Sequence, residues 1–193
     1  MTRFWWVRHG PTHRKELIGW TDAEADLSDT AGLRWLSGHL PAEAPVISSD
    51  LLRCRATAEA ILGERALLGH LPELREIHFG EWEGRTPAEL AEAEPQLSKE
   101  FWTSPGDIAL PGGESWNDLS ARVKKQVETL CNCYPDQDII AVAHLGVILS
   151  QIQMATGMPA SSALGFQIDN LSVTRIDYLG AGAWRVCGVN HKP

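Results

Sequence analysis

The sequence predicts an α/β protein, a three-layer α/β/α sandwich around a mostly parallel central sheet. Three observations carry that prediction. The runs Phe4-Trp5-Trp6-Val7 and Asp138 to Ala143 are apolar almost throughout, as expected of strands covered on both faces. Between such runs lie stretches with apolar residues at helical spacing, and strands alternating with helices build parallel sheets clad on both sides. No internal repeat and no long linker interrupts the pattern, so residues 1–193 read as one domain.

The elements follow in order. A first strand is expected over about residues 3–7, then a Gly/Pro/polar stretch from Gly10 to about Ser28. Leu27, Ala31, Trp35, Leu36 and Leu40 recur at helical spacing, with Ser28 or Asp29 as cap and Pro41 as stop. Val46-Ile47-Ser48 is a short strand. Ser49 or Asp50 caps a helix over about residues 51–63, which Gly63 ends. Leu71 to Gly84 reads as irregular or extended, with Gly80 and Gly84 as punctuation. Residues 87–103 read as one or two short helices broken at Pro95, and Pro105 to Gly113 as a loop. Ser115-x-x-Asp118 is a capping box, opening an amphipathic helix that carries Trp116, Leu119, Val123, Val127, Leu130 and Tyr134. A strand from Asp138 ends at His144, a helix spans about residues 146–157, and segments near 171–178 and 183–189 form a closing hairpin.

Composition narrows the function. A formal net charge of −8 argues against nucleic acid or an anionic membrane as partner, so an anionic substrate needs a local basic pocket. Cys54, Cys131, Cys133 and Cys187 have no second pair or histidine at zinc spacing, and a chain of this length needs no disulfide staples. They read as reduced thiols. The N-terminus has too few apolar residues for a signal-peptide core, and no run approaches the roughly 18 apolar residues of a membrane span. The expectation is a cytoplasmic protein with a small-molecule partner, either monomer or homodimer. Eight tryptophans, spread from Trp5 to Trp184, leave core, cleft wall and surface all open to them.

The chemistry is written at strand ends. Phe4 to Val7 runs straight into Arg8-His9-Gly10, and the strand from Asp138 runs straight into His144. Ligands of open α/β sheets lie beyond the carboxyl ends of the strands, and both histidines fall there. A histidine held in a tight glycine turn beside an arginine suits nucleophilic attack on a phosphate. Arg53 lies in the first turn of its helix, where a cation opposes the helix dipole. The segment Leu74 to Gly84 offers Glu76, Glu81 and Glu83 as general-acid candidates, and spacing alone does not choose among them.

Together these segments resemble the histidine phosphatase superfamily, which includes the cofactor-dependent phosphoglycerate mutases. The matching pieces are Arg8-His9-Gly10, the stretch from Ser48 to Thr57-Ala58 with Arg53 inside it, and Leu74-x-Glu76-x-x-x-Gly80. Pro111-Gly112-Gly113-Glu114-Ser115 and Ala143-His144 complete the set in the family's order. The tail Asp169 to Thr174 is similar to the small phosphatase branch, which holds α-ribazole and broad-specificity phosphatases. The resemblance implies a phosphoglycerate mutase-like fold and metal-independent, cofactor-free phosphoryl transfer through phosphohistidine at His9. It also implies that Arg8, Arg53 and His144 clamp the phosphate and that Glu76 serves as general acid and then base. On that mechanism His9 is neutral and His144 charged, with their pKa values pushed apart.

The chain departs from the family's pattern at Pro11, Lys15 and Leu145, where acidic or glutamine, asparagine and glycine residues are usual. Thr12, Lys15, Trp20, Trp82 and Leu145 are the expected substrate contacts. Trp20, Trp82, Trp102 and Trp116 are open to a cleft role beside an aromatic or sugar leaving group, or to the core. Only a short segment separates Gly84 from Pro111, too little for a large lid, so hydrolysis of a small phosphomonoester is favoured over mutase transfer. A non-catalytic relic that binds phosphate or a partner protein through the same pocket is the remaining reading.

Overall fold

The structure is a computed structural model and describes residues 1–192. Its sheet has six strands: β1 (Thr2–Arg8), β2 (Val46–Ser49), β3 (Leu67–Leu71), β4 (Asp138–Ala143), β5 (Val173–Gly180) and β6 (Ala183–His191). They lie in the order β3-β2-β4-β1-β5-β6. β1, β2, β3 and β4 pair parallel, and β5 runs antiparallel to both its neighbours. The register pairs Val7 with Val142 and Arg8 with Ala143. Neighbouring parallel strands therefore deliver His9 and His144 to the same edge of the sheet.

The pleat divides the strand side chains between two cores, as alternation along a strand requires. Phe4, Trp6, Ile139, Ala141 and Ala143 join one core with α5 (Trp116–Cys133) and α6 (Leu145–Thr156). Val7, Ile140 and Val142 join the other with α1 (Thr30–His39) and α2 (Leu52–Leu62). This is the three-layer sandwich expected. Each Val, Ile or Phe side chain among them, fully withdrawn from water, contributes about 1.5–3 kcal/mol. Two short helices, α3 (Pro87–Ala93) and α4 (Pro95–Thr103), divide at Pro95, and α7 (Ala160–Ala163) is a single turn.

Local signals set the boundaries. Asp29, one of the two residues offered as cap for α1, accepts a hydrogen bond from the Gly32 N–H. The capping box of α5 is complete: the Ser115 hydroxyl takes the Asp118 N–H while the Asp118 carboxylate takes the Ser115 N–H. The N-cap of α2 is Leu51, not Ser49 or Asp50; the Ser49 hydroxyl instead accepts from the Leu51 N–H. β3 was not expected. It is an edge strand with exposed Leu67 and Leu68 and a central Gly69, and so lacks the alternation that marks a half-buried strand. Among the described residues no helix is long and apolar enough to cross a membrane.

Candidate active site

The backbone around His9 is fixed on every side. Its N–H donates to the Ala143 carbonyl at 3.1 Å, joining β1 to β4 beyond the ladder. Its carbonyl accepts from Asn170 Nδ2 at 2.7 Å, and the Gly10 N–H donates to Thr57 Oγ1 at 3.0 Å. The imidazole Nδ1 lies 2.7 Å from the Gly10 carbonyl oxygen. A carbonyl only accepts, so Nδ1 carries the proton and Nε2 keeps its lone pair. Burial, then the Arg53 charge and, more weakly, Arg8, hold the His9 pKa down to about 3, against a smaller opposing pull from the Gly10 carbonyl. The result is a neutral imidazole in the tautomer a nucleophile needs.

Two guanidinium groups stand beside it, Arg53 buried and Arg8 partly buried. Arg53 is 1% exposed. Its Nε donates to His144 Nδ1 (3.2 Å), Nη1 to the Thr21 carbonyl (3.0 Å), and Nη2 to the Ile18 and Gly19 carbonyls (2.9 and 2.7 Å). A guanidinium has five N–H donors, so one Nη1 hydrogen is left to meet an anion. Arg8 has spent less: Nη1 donates to the Ile168 carbonyl at 2.6 Å, while Nε is buried without a partner. Burial pushes both groups below the usual arginine value, the signature of charges lacking an anion.

His144 departs from expectation. It is fully buried, with its ring centroid 5.1 Å from that of His9, and it does not line the cavity. Its Nδ1 accepts from Arg53, which leaves Nε2 protonated and 3.4 Å from Cys54 Sγ. Burial first, then the charge of Arg53, push its pKa well below the ordinary histidine value. Both histidines are lowered, so they are not pushed apart, and His144 is neutral in this arrangement. It acts on the site by holding Arg53.

Glu76 lies in the loop after a short 3₁₀ turn (Pro72–Leu74) and faces the cavity. Oε1 accepts from the Ile77 N–H (2.9 Å) and Oε2 from the Gly146 N–H (3.0 Å). A Cβ at position 146 would stand 2.4 Å from Oε1, so only glycine lets α6 approach this carboxylate. The Glu76 carbonyl is held as well, by Trp20 Nε1 at 2.8 Å and Arg122 Nη2 at 3.3 Å. Arg122 also donates to the Glu73 and Arg75 carbonyls and forms a two-pronged pair with Glu114. Glu83 takes the Trp20 and Thr21 N–H groups (2.6 and 2.8 Å), pinning the segment whose carbonyls hold Arg53. Glu83 is therefore structural, and of the three glutamates only Glu76 reaches the cavity.

These groups open into a cavity of about 250 Å³. Arg8, His9, Arg53 and Glu76 share its wall with Thr12, Arg14 and Glu16, and the rest of the lining is apolar. An anion fits the arginine end, where an acidic protein concentrates positive charge. Among the described residues no three His, Cys, Asp or Glu side chains gather as a metal site would need.

Compared with known families, residues 4–192 match the histidine phosphatase superfamily (branch 1). The chain belongs to the histidine phosphatase superfamily. The adenosylcobalamin/alpha-ribazole phosphatase of Escherichia coli (strain K12) is 29% identical over 198 residues, spanning 98% of this chain and 91% of that protein. A probable phosphoglycerate mutase GpmB of Serratia proteamaculans (strain 568) is 28% identical over 186 residues, spanning 92% and 86%. Among solved structures, Bacillus stearothermophilus YhfR superposes with a TM-score of 0.89 at 25% identity, over 98% of this chain and 97% of that one.

For this histidine phosphatase superfamily member, the expected site residues divide clearly. His9, Arg8, Arg53 and Glu76 converge on the cavity, with His144 behind them. Thr12 and Leu145, two of the candidate substrate contacts, line it. Trp82 does not: it is wholly buried in the core, its Nε1 donating to Glu94. Trp20 is also off the cavity, lying under Arg75 (4.8 Å) and holding the Glu76 carbonyl. Lys15 is exposed and outside the lining, and the neighbouring Arg14 lines the cavity instead. Trp102 and Trp116 take the cleft positions. Arg14, Gly146 and Arg122 went unread, and Glu83 was offered only as a general-acid candidate, because their roles depend on contacts across the fold. The glycine after Leu145 was the one local cue.

Proposed function

We propose that this chain is a phosphomonoesterase that works without a metal, through a phosphohistidine at His9, on a small phosphorylated metabolite. One observation carries the reading: a buried, neutral His9 whose Nδ1 proton is engaged by Gly10, leaving Nε2 free beside two under-satisfied arginines. A structural histidine bonded to Gly10 would hold the same tautomer, but it would not need Arg8 and Arg53 beside it in a cavity wall.

In the proposed reaction Nε2 attacks phosphorus as the P–O ester bond breaks. Glu76, entering as the acid, gives its proton to the departing alkoxide oxygen. The resulting carboxylate then takes a proton from water, whose oxygen attacks phosphorus and displaces His9. Phosphate leaves, and Glu76 again holds a proton. Arg8 and Arg53 meet the charge on the non-bridging oxygens, the largest contribution in such transfers. The E. coli relative's name supports hydrolysis, and the Serratia relative's name keeps mutase transfer as the competing outcome.

The test is phosphate release from p-nitrophenyl phosphate in the presence of EDTA, comparing the wild type with His9→Ala. EDTA-resistant release that the substitution lowers by at least about 10³-fold supports the reading. Release that EDTA abolishes, or that survives in His9→Ala, overturns it.

A further inference from the structure

The cavity extends well past the phosphate end, and its walls there have a consistent chemistry. Phe79, Phe101, Trp102, Trp116, Leu145 and Leu164 contribute to it. The aromatic members pack on one another: Phe101 and Trp102 meet edge-on at 4.9 Å, and Phe79 lies 6.3 Å from Trp102. Trp116 has no polar atom to offer, because its Nε1 donates to Gln153 at 2.6 Å. A sugar or polyol in this space would lose water from its hydroxyls and find few partners, which is unfavourable. Apolar surface placed there is withdrawn from water at a gain.

A carboxylated alcohol fares little better. Apart from Arg8 and Arg53, the lining holds one cation, Arg14, which is exposed and shares the wall with Glu16. Exposed charge in the company of an opposite charge holds a second anion weakly. Leu145 matters most for shape. It is the first residue of α6, directly after His144, and it lines the cavity. Trp102 packs on Phe101 and Phe79 yet stays 39% exposed, so part of its ring is open to a ligand in the cavity.

We infer that the leaving group is an alcohol carried on a bulky apolar body, aromatic or branched aliphatic, in preference to a sugar or a carboxylated alcohol. Trp102 and Leu145 determine that preference. The inference rests on the phosphatase reading for its chemistry, but the pocket's selectivity is measurable without turnover.

The experiment compares 2-phenylethyl phosphate, ethyl phosphate, glycerol 3-phosphate and 3-phosphoglycerate as substrates of the full chain. The first two have similar alkoxide leaving groups, so their difference reads the pocket and not the chemistry. The expected result is a kcat/KM at least about tenfold higher for 2-phenylethyl phosphate, expressed mainly in KM. In Trp102→Ala and Leu145→Gly the phenylethyl-to-ethyl ratio falls at least about fivefold. Equal rates for the two esters, or a preference for either polar ester, would overturn the inference. If no ester is hydrolysed, calorimetric binding of the same four to the wild type decides it. Tighter binding of 2-phenylethyl phosphate would uphold the apolar site while the phosphatase reading fell; equal or weaker binding would overturn the site as well.

Discussion

At the scale of single residues, the site depends on one proton and one missing side chain. The proton is that on His9 Nδ1, placed by the Gly10 carbonyl so that Nε2 faces the cavity as a base. The missing side chain is at Gly146, where a Cβ would come within 2.4 Å of Glu76 Oε1. Gly146→Ala is therefore expected to displace the carboxyl group of Glu76, the general acid of the proposed reaction. For ethyl phosphate, kcat should fall by about 10²-fold, within the range general acids supply, while KM changes by less than about threefold. p-Nitrophenolate needs little protonation, so p-nitrophenyl phosphate should be affected far less. Steady-state kinetics on both esters check this, and equal losses on both would show that Glu76 is not the acid. His9, Arg8 and His144 were readable because each follows a strand directly, whereas Glu76 was singled out from Glu81 and Glu83 only by the family resemblance. Trp82 misled because a tryptophan between glycines fits a cleft or a core equally well, and only the packing decides.

At the scale of elements, the site is held by segments far apart in the chain. The turn around Gly80 takes a positive φ of 57°, and a Cβ there would lie 2.1 Å from the Pro111 carbonyl, so this turn and the Pro111–Gly113 loop touch backbone to backbone. Arg122, on α5, binds three carbonyls of the Glu76 loop and pairs with Glu114, both partners about 18% exposed. Arg122→Met removes the donors and leaves Glu114 unpaired, which should destabilise the fold by about 2–4 kcal/mol in urea unfolding. A loss below about 0.5 kcal/mol would mean that the loop holds itself. Helices and central strands were legible because burial imposes a period on them. β3 was not, because it is a half-exposed edge strand, and α7 was not, because four residues carry no period. The role of Arg122 was invisible for a different reason: its partners are carbonyls, which leave no trace in sequence.

At the scale of the whole molecule, two buried neutral histidines make stability depend on pH. Both have folded pKa values below the ordinary value, His9 at about 3 and His144 well below 6.5. Below pH 6.5 the unfolded chain binds protons at these positions and the folded chain does not, so stability falls as pH falls. Each group contributes a slope of up to about 1.4 kcal/mol per pH unit, down to its folded pKa. Urea unfolding between pH 6.5 and 5, above the main carboxylate range, should show the decline. His9→Gln should flatten it by about 1 kcal/mol per pH unit, and an unchanged slope would show that His9 already takes a proton in the folded state.

The phosphohistidine itself gives the most direct measurement. The protein is mixed with p-nitrophenyl phosphate, quenched in alkali within the first turnover, and digested for mass spectrometry. A phosphoryl group on His9, stable to base and lost in acid, and absent from His9→Ala, is the expected result. Turnover with no phosphoryl group on His9, or with the group on another residue, would contradict the nucleophilic role assigned to His9 and the reading of the site built on it.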